Sequence, residues 1–288
     1  MRKKFLFGLF GFLLIIFLGA VQAQEHSQYQ IEPKTINLSY FFDGEEREIE
    51  LTVFRGVVDY ISRLSRDIRS NGREMPSRGD FKLKSMNEPV QREFLLPLVF
   101  EIQNLTESKE DQFRIATSLV QSIPYGYSNN TISFFGTEMN YSRYPYEVLY
   151  ENEGICGEKT QLLSFLLREL GYEVSLVYYA PENHEAVGIG CSKREGLKGT
   201  DVCLVETTAR SIVNDQSLVY VDGTTLNSEP EIFKLSEGIS LSKRTKEYRD
   251  AKTMDKLRNW KFIIFREWRM NRLNEKYGLR SVGEYNLE

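Results

Sequence analysis

Histidine and cysteine are scarce in this chain of 288 residues, which has only two histidines and three cysteines. With so few imidazoles and thiols, the sequence contains no ligand spacing typical of a zinc site. It also lacks the D-x-D-x-D-G run of a calcium-binding loop. The sequence therefore predicts a protein without a metal or other cofactor, whose chemistry would depend on one or two particular side chains.

A large net charge is also lacking. The formal charge is -4, which gives no indication of a nucleic-acid partner, and none is expected. Residues 243–280 nevertheless carry 13 Lys or Arg against 5 Asp or Glu. The aromatic residues of this basic stretch are Trp260, Phe262, Phe265 and Trp268. We interpret residues 236–288 as a basic, aromatic helical tail that either packs on the core or contacts a membrane surface or a protein.

Apolar runs of membrane-spanning length are absent after the N-terminus. There, M-R-K-K precedes the apolar run from Phe5 to Val21, and Val21-Gln22-Ala23 fits a cleavage site. This pattern predicts an export signal over residues 1–23, with a single N-terminal membrane anchor as the alternative. The mature protein is then expected to be extracellular, periplasmic or at the cell surface.

Hydrophobic periodicity predicts a mixture of helices and antiparallel strands. T-I-N-L-S-Y-F-F and R-E-I-E-L-T-V-F flank Asp43-Gly44, which predicts a β-hairpin. Helices are predicted over 57–68, 92–102, 111–123 and 242–277, with irregular chain over 71–92 and a loop over 125–146. Strands are predicted over 174–180, 184–191, 201–207 and 218–221.

One cysteine lies at the start of a predicted amphipathic helix, in E-N-E-G-I-C-G-E-K-T. The leucines that follow have helical spacing, and they are Leu163, Leu166, Leu167 and Leu170. Cys156 points close to this face, and the field at a helix N-terminus favours the reactive thiolate. The flanking Gly154 and Gly157 leave the backbone accessible for an oxyanion site. Cys156 could equally be a small buried residue or half of a disulfide.

The second histidine, His26, lies beside the predicted cleavage site, so His184 is the remaining imidazole of the body. It begins a predicted strand, where a side chain can face a cleft. If strands 184–191 and 201–207 pair with His184 opposite Glu206, the carboxylate lies beside the imidazole. The three residues Cys156, His184 and Glu206 are therefore a candidate catalytic triad, with Asp201 and Asp215 as weaker candidates for the acid.

In an exported chain with three cysteines, Cys191 and Cys203 are the first pair to consider for a disulfide. In the register that sets His184 opposite Glu206, however, Cys203 faces Val187, about 13 Å along the strand from Cys191. A disulfide needs Cα atoms within about 7 Å. Either a bulge around residues 196–199 folds the chain back, or the disulfide and the His–Glu pairing exclude each other. We favour the triad.

The ordered motifs resemble the transglutaminase-like superfamily of papain-type cysteine enzymes, in particular its exported prokaryotic members. The motifs are I-A-T-S-L-V-Q-S-I-P-Y, Y-P-Y-E-V-L, G-I-C-G-E-K-T-Q-L-L-S-F-L-L-R-E-L-G-Y-E-V, H-E-A-V-G-I and L-V-E-T-T, within residues 111–210. The chain departs from the family's frequent G-D-C-E-D pattern, and its third triad member is Glu where Asp is common.

The resemblance implies an α+β fold with a papain-like core over 111–235, in which a helix carrying cysteine packs on an antiparallel sheet. A hairpin and helices over 24–110 would precede this core. Cys156 would be the nucleophile, His184 the general base and Glu206 the orienting acid, with Tyr125 and Gly157 at the oxyanion site or lining the cleft. Hydrolysis of a protein, peptide or carboxamide substrate is the expected activity. Transamidation and a catalytically weak binding module at the cell surface are the alternatives.

Overall fold

The computed structural model describes residues 27–68, 72, 75–129, 131–134, 137–218, 220, 225–242, 245–259 and 265–279. The predicted export signal lies outside these ranges. None of the helices they contain combines the length and the apolar character needed to cross a membrane.

The fold is mixed α/β, with antiparallel sheets. The helices are α1 (Arg55–Ser62), α2 (Arg78–Met86), α3 (Pro89–Leu105), α4 (Lys109–Ser122), α5 (Pro145–Glu151), α6 (Cys156–Glu169), α7 (Lys246–Asn259) and α8 (Arg266–Tyr277). The strands are β1 (Pro33–Phe42), β2 (Glu45–Phe54), β3 (Thr131–Phe134), β4 (Thr137–Asn140), β5 (Val174–Tyr179), β6 (His184–Gly190), β7 (Val202–Val205) and β8 (Glu231–Ser236).

The N-terminal hairpin forms as predicted. β1 and β2 pair in the register that places Phe42 opposite Glu45. Asp43 and Gly44 both have positive φ, 52° and 84°, which the tight turn requires and which Asp and Gly tolerate. The Phe41 N–H donates to the Ser118 hydroxyl at 2.7 Å, so the hairpin packs on α4.

The helix that begins at Cys156 is the centre of the core. Its apolar stripe, from Leu162 to Leu167, is buried, and Gly171 takes the left-handed conformation (φ 92°) just beyond its end. The stripe packs on a four-stranded antiparallel sheet in the order β7-β6-β5-β8. A cysteine-bearing helix and an antiparallel sheet therefore lie together, as expected.

Several element predictions were wrong. The 71–92 segment contains α2, whose start is capped by reciprocal hydrogen bonds between Ser77 and Asp80, and the beginning of α3. The 125–146 loop contains the β3–β4 hairpin, and α1 ends at Ser62 rather than Ile68. Strand β8 was not predicted. Two residues of the strand predicted over 218–221 lie outside the described residues, and the other two, Leu218 and Tyr220, are not in a strand.

The register of β6 and β7 corrects the argument about the disulfide. Ile189, not Val187, faces Cys203, a shift of two residues from the predicted pairing. Cys191 then lies diagonally from Cys203, the Cα atoms are 5.9 Å apart, and the two cysteines form a disulfide. Glu206 follows the end of β7, and its Oε2 still lies 2.9 Å from Nε2 of His184. The disulfide and the His–Glu contact therefore coexist.

Part of the C-terminal tail packs on the core. Ala251, Met254 and Leu257 of α7 and Leu273 of α8 are buried with Ile212. Arg258 of α7 also binds the Asp215 carboxylate at 2.7 Å. Phe265 and Trp268 are exposed, whereas Trp260 and Phe262 lie outside the described residues. Membrane or protein contact through this tail remains a prediction.

Candidate active site

Cys156 is the first residue of α6, and the chain before it is fixed by a buried ion cluster. The Glu158 carboxylate accepts the N–H of Ile155 at 3.1 Å and the N–H of Arg143 at 2.7 Å, which caps the helix. The Arg143 guanidinium contacts Glu158, and its remaining donors reach Glu151 and Glu153. Arg143 and Glu158 are both about 97–98% buried. The position of the thiol is therefore set by charge pairs as well as by packing.

Two backbone N–H groups at this helix start remain available to a ligand. The N–H groups of Glu158 and Lys159 donate to the carbonyl of Ile155. Those of Cys156 and Gly157 donate to no acceptor within the described ranges. A helix leaves its first N–H groups unpaired, and such groups bind anions well. This geometry suits an oxyanion beside the thiol.

His184, the first residue of β6, is bound by a carboxylate. Its Nε2 lies 2.9 Å from Oε2 of Glu206. The Tyr220 hydroxyl donates to the same Oε2, and its ring lies against the imidazole with centroids 4.7 Å apart. Cys156 lies close enough to the imidazole to raise its pKa. Since Nε2 faces Glu206, Nδ1 is the nitrogen left for the thiol.

Glu206 is almost completely buried, and every side of its carboxylate is occupied. Oε1 accepts the N–H of Thr207 at 2.9 Å, the N–H of Thr208 at 2.8 Å and the Thr208 hydroxyl at 2.7 Å. Oε2 accepts from His184 and Tyr220. A buried carboxylate with this many donors is held in one orientation.

The electrostatics favour an ion pair between the imidazole and the carboxylate. Burial tends to lower the pKa of His184, but the Glu206 carboxylate and the hydrogen bonds with Cys156 and Glu206 outweigh it and raise that pKa to about 10. Burial correspondingly opposes ionisation of Glu206, yet the charge of His184 and the hydrogen bonds of Tyr220 and Thr208 hold the pKa of Glu206 below its usual range. Each group thus stabilises the charged form of the other.

Side chains of α6 tie the three site elements together. The Thr160 hydroxyl contacts the Glu185 carbonyl at 3.1 Å and the Thr207 hydroxyl at 3.2 Å. The ammonium group of Lys159, wholly buried, donates to the carbonyls of Ile123 and Thr208. Burial lowers the pKa of Lys159 to about 7, partly opposed by Glu206. The helix is thereby fixed to both sides of the His184–Glu206 pair.

An open cleft of about 930 Å³ reaches Cys156 and Gly157. This volume is within the range of ligand-binding sites. Gly157 is enclosed rather than free, because a Cβ there would lie 2.6 Å from Oε2 of Glu185. The backbone of Tyr125 forms an isolated parallel bridge with that of Gly154. Burial chiefly raises the pKa of Tyr125, and Cys156 is close enough to raise it further. Tyr125 does not line this cleft as far as the described residues define it.

Sequence reasoning missed several of these side chains. Tyr220, Lys159 and Arg143 carry no motif of their own, and each matters through contacts with residues distant in the chain. Lys159 had one usable signal, since it lies three residues after Cys156 on the face that packs. In the described ranges, no three His, Cys, Asp or Glu side chains gather where they could hold a metal ion.

Comparison with known proteins gives little further information. No family model matches the chain, and no curated protein matches it. Among solved structures, a protein of Parabacteroides distasonis ATCC 8503 described as a "putative protease" is 14% identical, with a TM-score of 0.30. The match covers 74% of this chain and 40% of that protein.

Proposed function

We propose that the protein is an exported cysteine hydrolase with a transglutaminase-like, papain-type core, acting on a peptide or carboxamide bond. The observation that supports it most directly is the contact of His184 with the buried carboxylate of Glu206, beside a helix that begins at Cys156 and packs on the strand of His184. Nucleophile, base and orienting acid are then in the order that covalent catalysis requires.

The reaction begins at the thiol. With its pKa raised, His184 already carries the proton of Cys156 on Nδ1 while Glu206 holds Nε2, and the thiolate attacks the substrate carbonyl. The developing oxyanion accepts hydrogen bonds from the N–H groups of Cys156 and Gly157. The intermediate then collapses, and the leaving amine takes its proton from the imidazolium. A thioester on Cys156 remains.

Water completes the cycle. His184 accepts a proton from water, the resulting hydroxide attacks the thioester, and the acid leaves as the Cys156 sulfur is expelled. An amine in place of water would give transamidation instead. The fixed orientation of the imidazole serves both steps, because Glu206 prevents the ring from turning away between them.

Export is supported by the disulfide between Cys191 and Cys203. Structural disulfides persist mainly in oxidising compartments. With those two sulfurs joined, Cys156 is the free cysteine of the chain.

Alkylation of Cys156 tests the proposed chemistry without knowledge of the substrate. Iodoacetamide should label one cysteine per chain, faster than it labels free cysteine across pH 5–8, and His184→Ala should abolish this advantage. A matched control is Lys234→Ala, an exposed position on β8. If Cys156 reacts no faster than free cysteine, a catalytic role is refuted and a binding module is favoured.

The substrate is sought by comparing secreted and surface proteins of cells that express wild type or Cys156→Ala. New peptide termini that depend on the thiol support hydrolysis. Products of increased mass, joined through an amide, support transamidation. Identical profiles together with a reactive thiol would limit the activity to small carboxamides.

A further inference from the structure

The walls of the Cys156 cleft are predominantly cationic. Its charged lining comprises Arg66, Arg78, Lys82, Lys84 and Arg143 on the positive side and Asp67 and Glu185 on the negative side. Arg143 is already surrounded by three glutamates and does not contribute a free charge to the cleft. The other four come from α2 and from the segment that follows α1.

Helix α2 places two of these charges next to the nucleophile. The Lys82 ammonium lies 2.9 Å from the carbonyl of Gly157 and 2.6 Å from Oε2 of Glu185. Arg78 binds the other oxygen of the same carboxylate at 2.7 Å. The single carboxylate of Glu185 therefore pairs with both Arg78 and Lys82, which leaves a net positive charge. This charge lies beside Gly157, the residue that follows Cys156.

Arg66 adds a positive charge to the same cleft, and the buried carboxylate of Glu147 offsets part of this charge. Its guanidinium lies over the ring of Tyr144, 3.8 Å from the centroid, and 4.5 Å from that of Tyr141. Nη2 binds Glu147 at 3.1 Å. Nε and Nη1 are buried, and neither has a hydrogen-bond acceptor in the part of the chain that the structure describes. The Nε–H and Nη1–H groups point to opposite sides of the guanidinium, so a carboxylate in the cleft can accept from Nη1 with one oxygen, and its charge is attracted by the cation.

Lys84 strengthens the same wall. Its ammonium binds the carbonyl oxygens of Ser65 and Asp67, on either side of Arg66. These acceptors are uncharged, so the positive charge of Lys84 is not cancelled there. The lysine also fixes the segment that carries Arg66 to α2. Arg66, Lys82 and Lys84 together form what we call the cationic wall.

We propose that the cationic wall recognises a carboxylate of the substrate, so that the enzyme prefers an acidic group close to the carbonyl attacked by Cys156. This inference rests on the proposed function and specifies its substrate class. The carboxylate belongs either to an acidic side chain or to a free C-terminus, since both present the same negative charge to the cationic wall.

The preference is measured with two alkylating agents of nearly equal size. Iodoacetate carries a carboxylate, and iodoacetamide is neutral. The measured quantity is the alkylation rate with iodoacetate divided by the rate with iodoacetamide. This ratio at Cys156, divided by the same ratio at the thiol of N-acetylcysteine amide, should be about 10 at low salt and should fall as salt is added. Unlike a rate, this ratio is insensitive to a general loss of thiol reactivity.

Single substitutions assign the effect to the wall. Arg66→Gln, Lys82→Gln and Lys84→Gln should each lower the ratio several-fold, while Lys234→Gln, which removes an exposed charge elsewhere, should leave it unchanged. Lys84→Gln is the mildest change and keeps the test valid if the buried Arg66 variant does not fold. A normalised ratio near one in wild type, or a ratio that none of the three variants changes, overturns the proposal.

Protection from iodoacetamide distinguishes the source of the carboxylate. N-acetylglutamate α-amide offers a side-chain carboxylate, N-acetylalanine a terminal one, and inorganic phosphate a different anion. Protection by only one of the two carboxylates identifies the source, whereas protection by phosphate alone contradicts carboxylate recognition. Slow alkylation by both reagents would instead refute the proposed hydrolase, so the two failures are distinguishable.

Discussion

Replacing Glu206 by Gln preserves the shape of the side chain and removes its charge. Oε1 accepts three hydrogen bonds from Thr207 and Thr208. An amide nitrogen cannot accept them, so the amide oxygen must occupy that position and the NH2 group must face His184. Nε2 then becomes an acceptor, and the neutral ring carries its hydrogen on Nδ1. In this tautomer the imidazole cannot take the proton of Cys156.

The expected effects are large. Loss of an adjacent opposite charge changes a pKa by about 1–3 pH units, and burial of His184 acts in the same downward direction. The pKa of His184 should therefore fall from about 10 to the neutral range or lower. A histidine held in the wrong tautomer lowers turnover in serine triads about 10⁴-fold. Alkylation of Cys156 at pH 7 should fall at least about 10²-fold for the same reason.

The titration can be followed by NMR with ring-labelled histidine. The chain has only two histidines, and His26→Gln assigns the remaining signals to His184. Glu229→Gln, at a largely exposed carboxylate, is the control and should change neither the titration nor the alkylation rate. If His184 in the Glu206→Gln variant still titrates near its wild-type value, the ion pair is not the cause of the raised pKa and this reasoning is refuted.

Unfolding gives a second measure of the same pair. The raised pKa of His184 means that its contribution to stability is complete below about pH 6.5 and is lost as the pH rises toward 10. The lowered pKa of Glu206 means that its contribution is complete above about pH 4.5 and is lost on acidification. The difference in unfolding free energy between wild type and Glu206→Gln should therefore be greatest at about pH 5–6. A difference in unfolding free energy that does not change with pH would contradict the proposed ion pair.

Three further substitutions test other parts of the site. Tyr220→Phe removes a donor to the buried Glu206 and should lower the unfolding free energy by about 1–3 kcal/mol in urea titrations; an unchanged midpoint would show that the hydroxyl is dispensable. The paired change Cys191→Ala with Cys203→Ala opens a loop with a sequence separation of 12 and should destabilise by about 3 kcal/mol, whereas equal stability would mean that the bridge adds nothing to folding. Lys159 has a lowered pKa, so wild type should gain stability relative to Lys159→Met between about pH 7 and 10, at about 1 kcal/mol per pH unit. If the difference in unfolding free energy does not change with pH, the pKa of Lys159 is not lowered by folding.

Local patterns were sufficient to predict the elements with strong internal signals. Asp43-Gly44 between two alternating strands fixed the first hairpin, and the leucine stripe after Cys156 gave α6 with its end at Gly171. These signals arise within a few residues, so they do not depend on partners elsewhere in the chain. For the same reason, Cys156 could be placed at a helix start from the sequence.

Helix α2 and strand β8 could not be read in this way. Helix α2 has alternating charged and apolar residues and an internal Gly79, and it is stabilised by its cap and by contacts with β8 and α6. Strand β8 is short, and β5 supplies its pairing across a long separation in sequence. Such elements form because of tertiary contacts, which outweigh weak local preferences.

The candidate triad was found for a reason that was partly wrong. The prediction assumed that His184 and Glu206 are directly opposed, whereas the strands pair two residues away from that register. A shift by two preserves which face each side chain occupies, so the alternation pattern cannot detect it. The side chains of His184 and Glu206 are nonetheless in contact. Tyr220 lies in neither a helix nor a strand, so no periodicity predicts its position.

The disulfide between Cys191 and Cys203 also determines how the protein responds to oxidants. A cysteine oxidised to the sulfenic acid is usually rescued when a second thiol nearby condenses with it. Here both other sulfurs are already joined to each other, and the sequence contains no fourth cysteine. Sulfenic acid at Cys156 must therefore be captured by an external thiol, or oxidation proceeds to the irreversible sulfinic form.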